Sequence, residues 1–247
     1  PRFFTIVSFY WHTALIGCVF LKAWSTGTVE VLRRKWLEYT GFSFLLCIAA
    51  YRIASFLQDI RSYPFTLAWS ETSRFYYASL FLSKFIYGEA APFVVLHPSR
   101  YIMLTVPFLL PDSPLWLHRA WQAMLWISMP LLTAWLLLRR VSPRSFEEKT
   151  NNRWAQALFF VIAFIFLLIG PVYYHLQVPL ILILWGFDSS SGGFSSGNWL
   201  KNLMMVILAS AWAGISRVNW YPVPGMLAAL LILLEQSFPK QALSQTA

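Results

Sequence analysis

Charge is what this sequence has least of. Asp, Glu, Lys and Arg make up 12% of its 247 residues, where an ordinary soluble domain carries about 25%. Acidic side chains are the scarcer half, ten against nineteen basic, for a formal net charge of +9. Between 154 and 187 no Asp, Glu, Lys or Arg occurs, a run longer than the roughly 20 apolar residues that cross a bilayer. Residues of hydrophobic type reach 58% and the mean hydropathy is +0.56, so a bilayer is the solvent this composition fits. A net charge of +9 in a soluble chain would suggest nucleic acid. Here the basic residues flank apolar runs, as juxtamembrane anchors do, and no nucleic-acid partner is expected.

Other absences narrow the chemistry. Only Cys18 and Cys47 are present, each inside an apolar run, which points to buried free thiols rather than a disulfide. There is no H-E-x-x-H, C-x-x-C or D-x-D spacing, and the four His residues are dispersed, so neither a metal site nor a cofactor is expected. The segment DSSSGGFSSGN, 188–198, lacks the G-x-x-x-x-G-K-[ST] and G-x-G-x-x-G spacings that cradle phosphates and reads as a flexible cytoplasmic loop. The chain starts Pro1-Arg2 and no A-x-A-like cleavage site follows its first apolar run. No signal peptide is read there, and a fragment of a longer chain is one expectation.

What is present is a series of apolar windows, near 3–24, 41–57, 115–138, 154–173, 175–187, 199–215 and 223–235. The expected fold is all-α: a polytopic bundle of about seven spans forming one membrane domain over 1–247, with a tail at 236–247. Pro171 and Pro179 suggest that the fourth and fifth windows form a tight helical hairpin. Arg33, Arg34 and Lys35 fall in one short loop, and Arg139, Arg140, Arg144, Lys149 and Arg153 in another. Short loops rich in Lys and Arg face the cytoplasm. Alternation then places 58–114, 173–175 and 216–222 on the external side, and a bacterial cytoplasmic membrane is the expected location.

The 58–114 segment is too long for a plain connection. Within it SETSRFYYASLFLSKFIYG, 70–88, reads as an amphipathic helix. Ser70 or Thr72 is its expected cap, and Phe75, Leu80, Leu82, Phe85 and Ile86 its expected membrane-facing side. HPSRYIMLTVPFLLP, 97–111, is broken by three prolines and reads as a re-entrant or interface-lying helix.

Several residues on that external side suit binding and catalysis. Glu71 is a carboxylate beside an apolar wall, a candidate general base and equally a helix-dipole partner of Arg74. Arg217, in SRVNWYPVPG, offers bidentate phosphate recognition, with Asn219 for hydrogen bonding and Trp220 and Tyr221 for stacking. An interfacial Trp/Tyr belt with one basic anchor explains the same residues. His175, after Tyr173 and Tyr174, is a candidate pyrophosphate donor or a simple cap. His97 and Arg100 offer an imidazole and a guanidinium nearby, the latter as phosphate contact or snorkelling anchor. Arg52, inside the second window, should snorkel or pair with Asp59 or Glu71.

This arrangement resembles the polytopic membrane glycosyltransferases of the GT-C fold. They have a core of seven transmembrane helices and an acidic residue in an external loop near amphipathic helices parallel to the membrane. The resemblance covers the architecture from about Gly41 to Glu235. It implies a sugar donor linked to a polyprenyl phosphate, an acceptor activated by the loop carboxylate and a basic residue near the lipid phosphate, so that Glu71 would be the base and Arg217, with Arg100 or His175, would hold phosphate. Arg74, His97, Asn219 and Trp220 complete the expected substrate-binding set by their place on the external side, with membrane lipids as surroundings. Two other classes remain open: a transporter or lipid flippase with Arg52, Glu71 and Arg217 along its pathway, and a non-catalytic subunit packed on a membrane-protein partner.

Overall fold

A computed structural model describes residues 2–25, 29–67, 70–92, 94, 96–145, 153–189 and 198–235, with the backbone alone for 2–5, 20, 22–25, 29–39, 141–145 and 153. Among the described residues every regular element is helical. The elements are α1 Arg2–Ser25, α2 Val29–Gln58, α3 Glu71–Leu80, α4 Ser83–Tyr87, α5 Pro98–Leu104, α6 Leu115–Ser145, α7 Arg153–Ile169, α8 Tyr174–Gly186, α9 Trp199–Ser216 and α10 Val223–Glu235. Each of the seven apolar windows lies on a helix.

Four stretches are long and apolar enough to cross a membrane: Thr40–Gln58, Leu115–Arg140, Trp199–Ser216 and Val218–Glu235. Ile6–Val19, Trp154–Ile169 and Tyr174–Gly186 are shorter apolar helices. Large apolar side chains such as Trp11, Ile16, Val19, Phe166, Trp185 and Leu234 stand exposed along these helices, a pattern that suits lipid contact and that water-soluble monomers avoid. These are the features of an integral membrane protein.

The chain forms two compact units, Pro1–Leu67 with Pro114–Val172, and Ala68–Ser113 with Tyr173–Ala247; the sequence reading treats 1–247 as one domain. In the first, α7 turns Val161, Phe164, Ile165 and Leu168 to one side at helical spacing, and they bury against Ala49 of α2 and Ala134 of α6. Ala134 has no exposed surface, and a side chain this small lets helix backbones approach closely. After α7, Gly170 takes φ 99°, a left-handed turn that suits glycine, with the Trp126 ring 3.6 Å from where a Cβ would stand. Trp126 in turn stacks on Phe56 at 5.9 Å. Pro171 falls in this connection, whereas Pro179 lies within α8.

Both cysteines are buried free thiols, as their apolar settings imply. Arg52 lies 4.7 Å from the Phe56 ring centroid, within the range of cation–π attraction. Between α1 and α2, a Cβ on Gly17 would meet the Ser43 Oγ and stand 3.0 Å from the Ser43 Cβ. Gly17→Leu is therefore expected to destabilise this helix pair by about 1–3 kcal/mol through overpacking. The check is a lowered thermal unfolding midpoint in detergent, with Gly41→Leu, at a position with open space, as the control.

The loop leaving α2 is tied to α6 by one side chain. Arg119, 4% exposed, donates from Nη1 to the carbonyls of Arg61 (2.6 Å) and Tyr63 (2.8 Å) and from Nη2 to that of Phe65 (3.0 Å).

In the second unit α8 is the central element. Tyr174, His175, Leu176, Gln177, Pro179, Ile183, Leu184 and Gly186 are all buried, as expected for a helix apolar on every side. It packs on α9, α10 and α5. Ala209 and Ala213 of α9 are completely buried, and Gly186 leaves room for the thioether of Met205. The 188–198 segment lies largely outside the described residues, yet its ends are held. Asn202 receives the Asp188 N–H (2.9 Å) and donates to the Asp188 carbonyl (2.7 Å), while Ser189 donates to Glu235. The 236–247 tail lies outside the described residues.

The 58–114 segment departs from its expected amphipathicity. Instead of one helix over 70–88, α3 and α4 are separate, and Ser70 precedes α3 without a side-chain capping bond. Its φ of 61° instead sends its carbonyl to the Arg74 backbone N–H (3.0 Å) and Arg74 Nε (3.2 Å). The side of α3 that is buried carries Glu71, Arg74, Phe75, Ala78 and Ser79. Of the residues expected to face the membrane, Phe75 is buried, Phe85 is exposed, and Leu80, Leu82 and Ile86 are half-buried. This helix turns two charged side chains inward together with Phe75 and Ala78. The 97–111 stretch is α5 followed by a 3-10 turn over Val106–Leu109.

Candidate functional site

Four elements of the second unit carry the polar residues in question: α3, α5, the first turn of α8, and the end of α9. Helix α5 packs on α3, α8 and α9. Its entrance is fixed by polar bonds spanning most of the unit's sequence. His97, at φ 56°, sits 2.6 Å from the Ser216 carbonyl through Nδ1; a carbonyl only accepts, so this nitrogen carries the hydrogen. Ser216 Oγ donates to the Trp212 carbonyl (2.7 Å), so at 2.6 Å Ser99 Oγ is the donor to Ser216 Oγ. Trp212 Nε1 donates to the His175 carbonyl (2.8 Å). Ser99 and Ser216 are both essentially inaccessible. These bonds lock the N-terminal end of α5 against α9, and α9 against the start of α8.

On this frame stand three guanidiniums. Arg74 is 8% exposed; burial first, and the neighbouring Arg100 second, push its guanidinium below its ordinary pKa, while Tyr174, Glu71 and Tyr101 act in the opposite sense. Arg100 and Arg217 share one aromatic platform. Their Cζ atoms lie 5.6 and 5.5 Å from the Tyr173 ring centroid, within the range of cation–π attraction. Glu71, also buried, acts electrostatically on Arg74. Three guanidiniums against one carboxylate leave the cluster with a formal excess of two positive charges.

Two groups inside this cluster lack partners. Both ring nitrogens of His175 and the Nε of Arg100 are buried without a hydrogen bond. His175 is 2% exposed; its ring lies 5.7 Å from that of Tyr173 and within the electrostatic reach of Arg100, His97 and Arg217. Leaving such groups unpaired costs about 1–3 kcal/mol each. A cluster of excess positive charge with unpaired polar groups is organised for an anion that can accept hydrogen bonds.

No protein family, curated protein or solved structure matches this chain. The site therefore stands on its own chemistry.

Of the residues singled out from sequence, Glu71, Arg74, His97, Arg100, His175 and Arg217 come together in this unit. Asn219 and Trp220 lie on the 3-10 turn Val218–Trp220 that follows Arg217, Asn219 exposed and Trp220 half-buried; the Trp220 backbone N–H donates to the Arg217 carbonyl (2.9 Å). Sequence reasoning passed over Tyr173 as the platform and Ser99 with Ser216 as the lock. A tyrosine pair opening a helix was visible as Tyr173-Tyr174, but its two arginine partners lie 73 residues before it and 44 after it. A G-x-S-x-G spacing does occur at 193–197. It falls outside the described residues, and spacing of this kind gains meaning only in a strand–turn–helix context.

Proposed function

We propose that this protein is a polytopic membrane glycosyltransferase of the GT-C kind, moving a sugar from a polyprenyl-phosphate-linked donor at the external membrane face. In this reading the four long apolar helices and the three shorter ones cross as seven spans, the shorter ones by local thinning of the bilayer or by flanking residues. The basic clusters expected in short loops fall on helices, Arg33, Arg34 and Lys35 in the first turns of α2 and Arg139, Arg140 and Arg144 in the last turns of α6; in this reading those helix ends lie in the cytoplasm, and α3 to α5 form the external loop, re-entering the membrane at 97–111. The membrane is the bacterial cytoplasmic one.

The observation that carries the proposal is the pair Arg100 and Arg217 on the Tyr173 ring, with Arg74 and the carboxylate of Glu71 in electrostatic reach on the Arg100 side. Sugar transfer from a phosphate-linked donor releases a phosphate on which negative charge grows as the glycosidic bond breaks. Preorganised guanidiniums stabilise that charge most where water is scarce. Glu71 accepts the proton of the acceptor hydroxyl as that oxygen attacks the anomeric carbon; the C–O bond to the donor phosphate breaks, and the phosphate leaves with the bonding electron pair. Arg74 positions the carboxylate.

The test is radiolabelled sugar transfer from polyprenyl-phosphate donors by the purified protein in vesicles. Arg100→Ala is expected to reduce transfer by about 100-fold, the loss of one charged donor from an oxyanion-type site. Transfer by Arg100→Ala at the wild-type rate would remove the guanidinium cluster from the reaction.

A further inference from the structure

The arrangement of the three guanidiniums carries information about how many phosphates the ligand has. They form a graded series rather than a single nest. Arg74 is buried at the inner end, Arg100 is half-buried with its Nε unpartnered, and Arg217 is exposed at the outer end. The Tyr173 ring is shared by the last two, at 5.6 and 5.5 Å. His175, 2% exposed and with both ring nitrogens unpaired, belongs by its burial with the inner end of this series.

Charge points the same way. A sugar joined to a lipid through one phosphate is a phosphodiester with one negative charge; joined through a diphosphate it carries two. The cluster's formal excess is two. A singly charged ligand would match only one of those two positive charges, whereas a diphosphate matches both. The depth of the site indicates what the diphosphate is attached to. Arg217 falls between two stretches apolar enough to cross a membrane, Trp199–Ser216 and Val218–Glu235, which puts its guanidinium at the level where lipid headgroups lie.

From these observations we infer that the site takes a lipid diphosphate, with one phosphate held by Arg100 and His175 and the second by Arg217. This rests on the phosphate-linked donor proposed above and specifies it. One ring nitrogen of His175 donates to the inner phosphate, and the Tyr173 ring holds Arg100 and Arg217 in place before the ligand arrives, so that less side-chain freedom is lost on binding.

The experiment is equilibrium binding by the full chain in detergent. The probes are a hexose-linked polyprenyl diphosphate, a hexose-linked polyprenyl monophosphate of equal chain length, and inorganic pyrophosphate. The diphosphate lipid is expected to bind at least about tenfold tighter than the monophosphate lipid, the equivalent of one further charge-assisted contact. Arg217→Ala should erase that preference while keeping the monophosphate affinity within about twofold. His175→Phe, which keeps a ring in the same space, should weaken both lipids alike. Equal affinity for the two lipids, or a preference that survives Arg217→Ala, would overturn the assignment. Inorganic pyrophosphate binding as tightly as the diphosphate lipid would overturn the lipid part of it. The two proposals fail separately. Diphosphate preference without sugar transfer defeats the glycosyltransferase reading alone, and transfer without preference defeats this inference alone.

Discussion

Glu71→Gln is expected to lower sugar transfer by about 100-fold or more while donor binding stays within a fewfold of wild type. The magnitude is that of removing a general base, typically a factor of about 10² to 10⁴. The amide keeps the size and planarity of the carboxylate but cannot take a proton. Glu71 occupies the first turn of α3 on its buried side, and it stabilises the charged form of Arg74. That second role makes the comparison informative, because a carboxylate serving only as partner to Arg74 would produce a different pattern. In that case Glu71→Gln would disturb donor affinity and unfolding temperature together, and turnover of bound donor would persist. Single-turnover transfer and donor binding measured on the same preparation separate the two. A Glu71→Gln protein that transfers sugar at the wild-type rate would end the case for Glu71 as base.

The second large effect concerns the fold. Arg119→Ala is expected to destabilise the protein by about 2–4 kcal/mol, read as a lower unfolding midpoint and faster proteolysis within 59–67. The guanidinium satisfies three backbone carbonyls, those of Arg61, Tyr63 and Phe65, from a position that is 4% exposed. Bonds from a charged donor contribute about 1.5–3 kcal/mol each. Because residues 61–65 are themselves exposed, water replaces part of what is lost, which holds the total below a simple sum. Arg119→Lys should recover little, since an ammonium cannot reproduce the forked geometry that reaches three carbonyls. Wild-type stability in Arg119→Ala would show that the loop is held by other contacts.

The helices were legible in the sequence because a bilayer-sized apolar window and a helix have the same length requirement, and each of the seven windows coincides with a helix. The three shorter apolar helices show where that equivalence loosens. For α10 the crossing stretch begins at Val218, because the 3-10 turn before it extends the apolar length, and no window on α10 alone reveals this. In α3 the apolar residues were assigned to the membrane side, while the structure buries Phe75 and Ala78 inside the protein together with Glu71 and Arg74. Hydrophobic periodicity finds the apolar side of a helix but not the charged side chains that share its buried face. The Ser99–Ser216 and His97–Ser216 bonds span 117 and 119 residues, and small polar side chains leave no periodic trace by which such pairs could be found. Arg217 and Arg100 were each recognised as phosphate-binding types from sequence. Their common platform, Tyr173, depends on tertiary structure.

The left-handed backbone at Ser70 and His97 has one more consequence. Both stand immediately before a helix that carries the cationic cluster, and holding a residue other than glycine there costs on the order of 1–3 kcal/mol. Selection for stability alone would favour glycine at both positions. At 97 that change would also delete the imidazole that fastens α5 to Ser216. Stabilising the protein and keeping its site assembled thus make opposite demands on the same residue, and a laboratory search for hardier variants would be drawn toward substitutions that loosen the cluster.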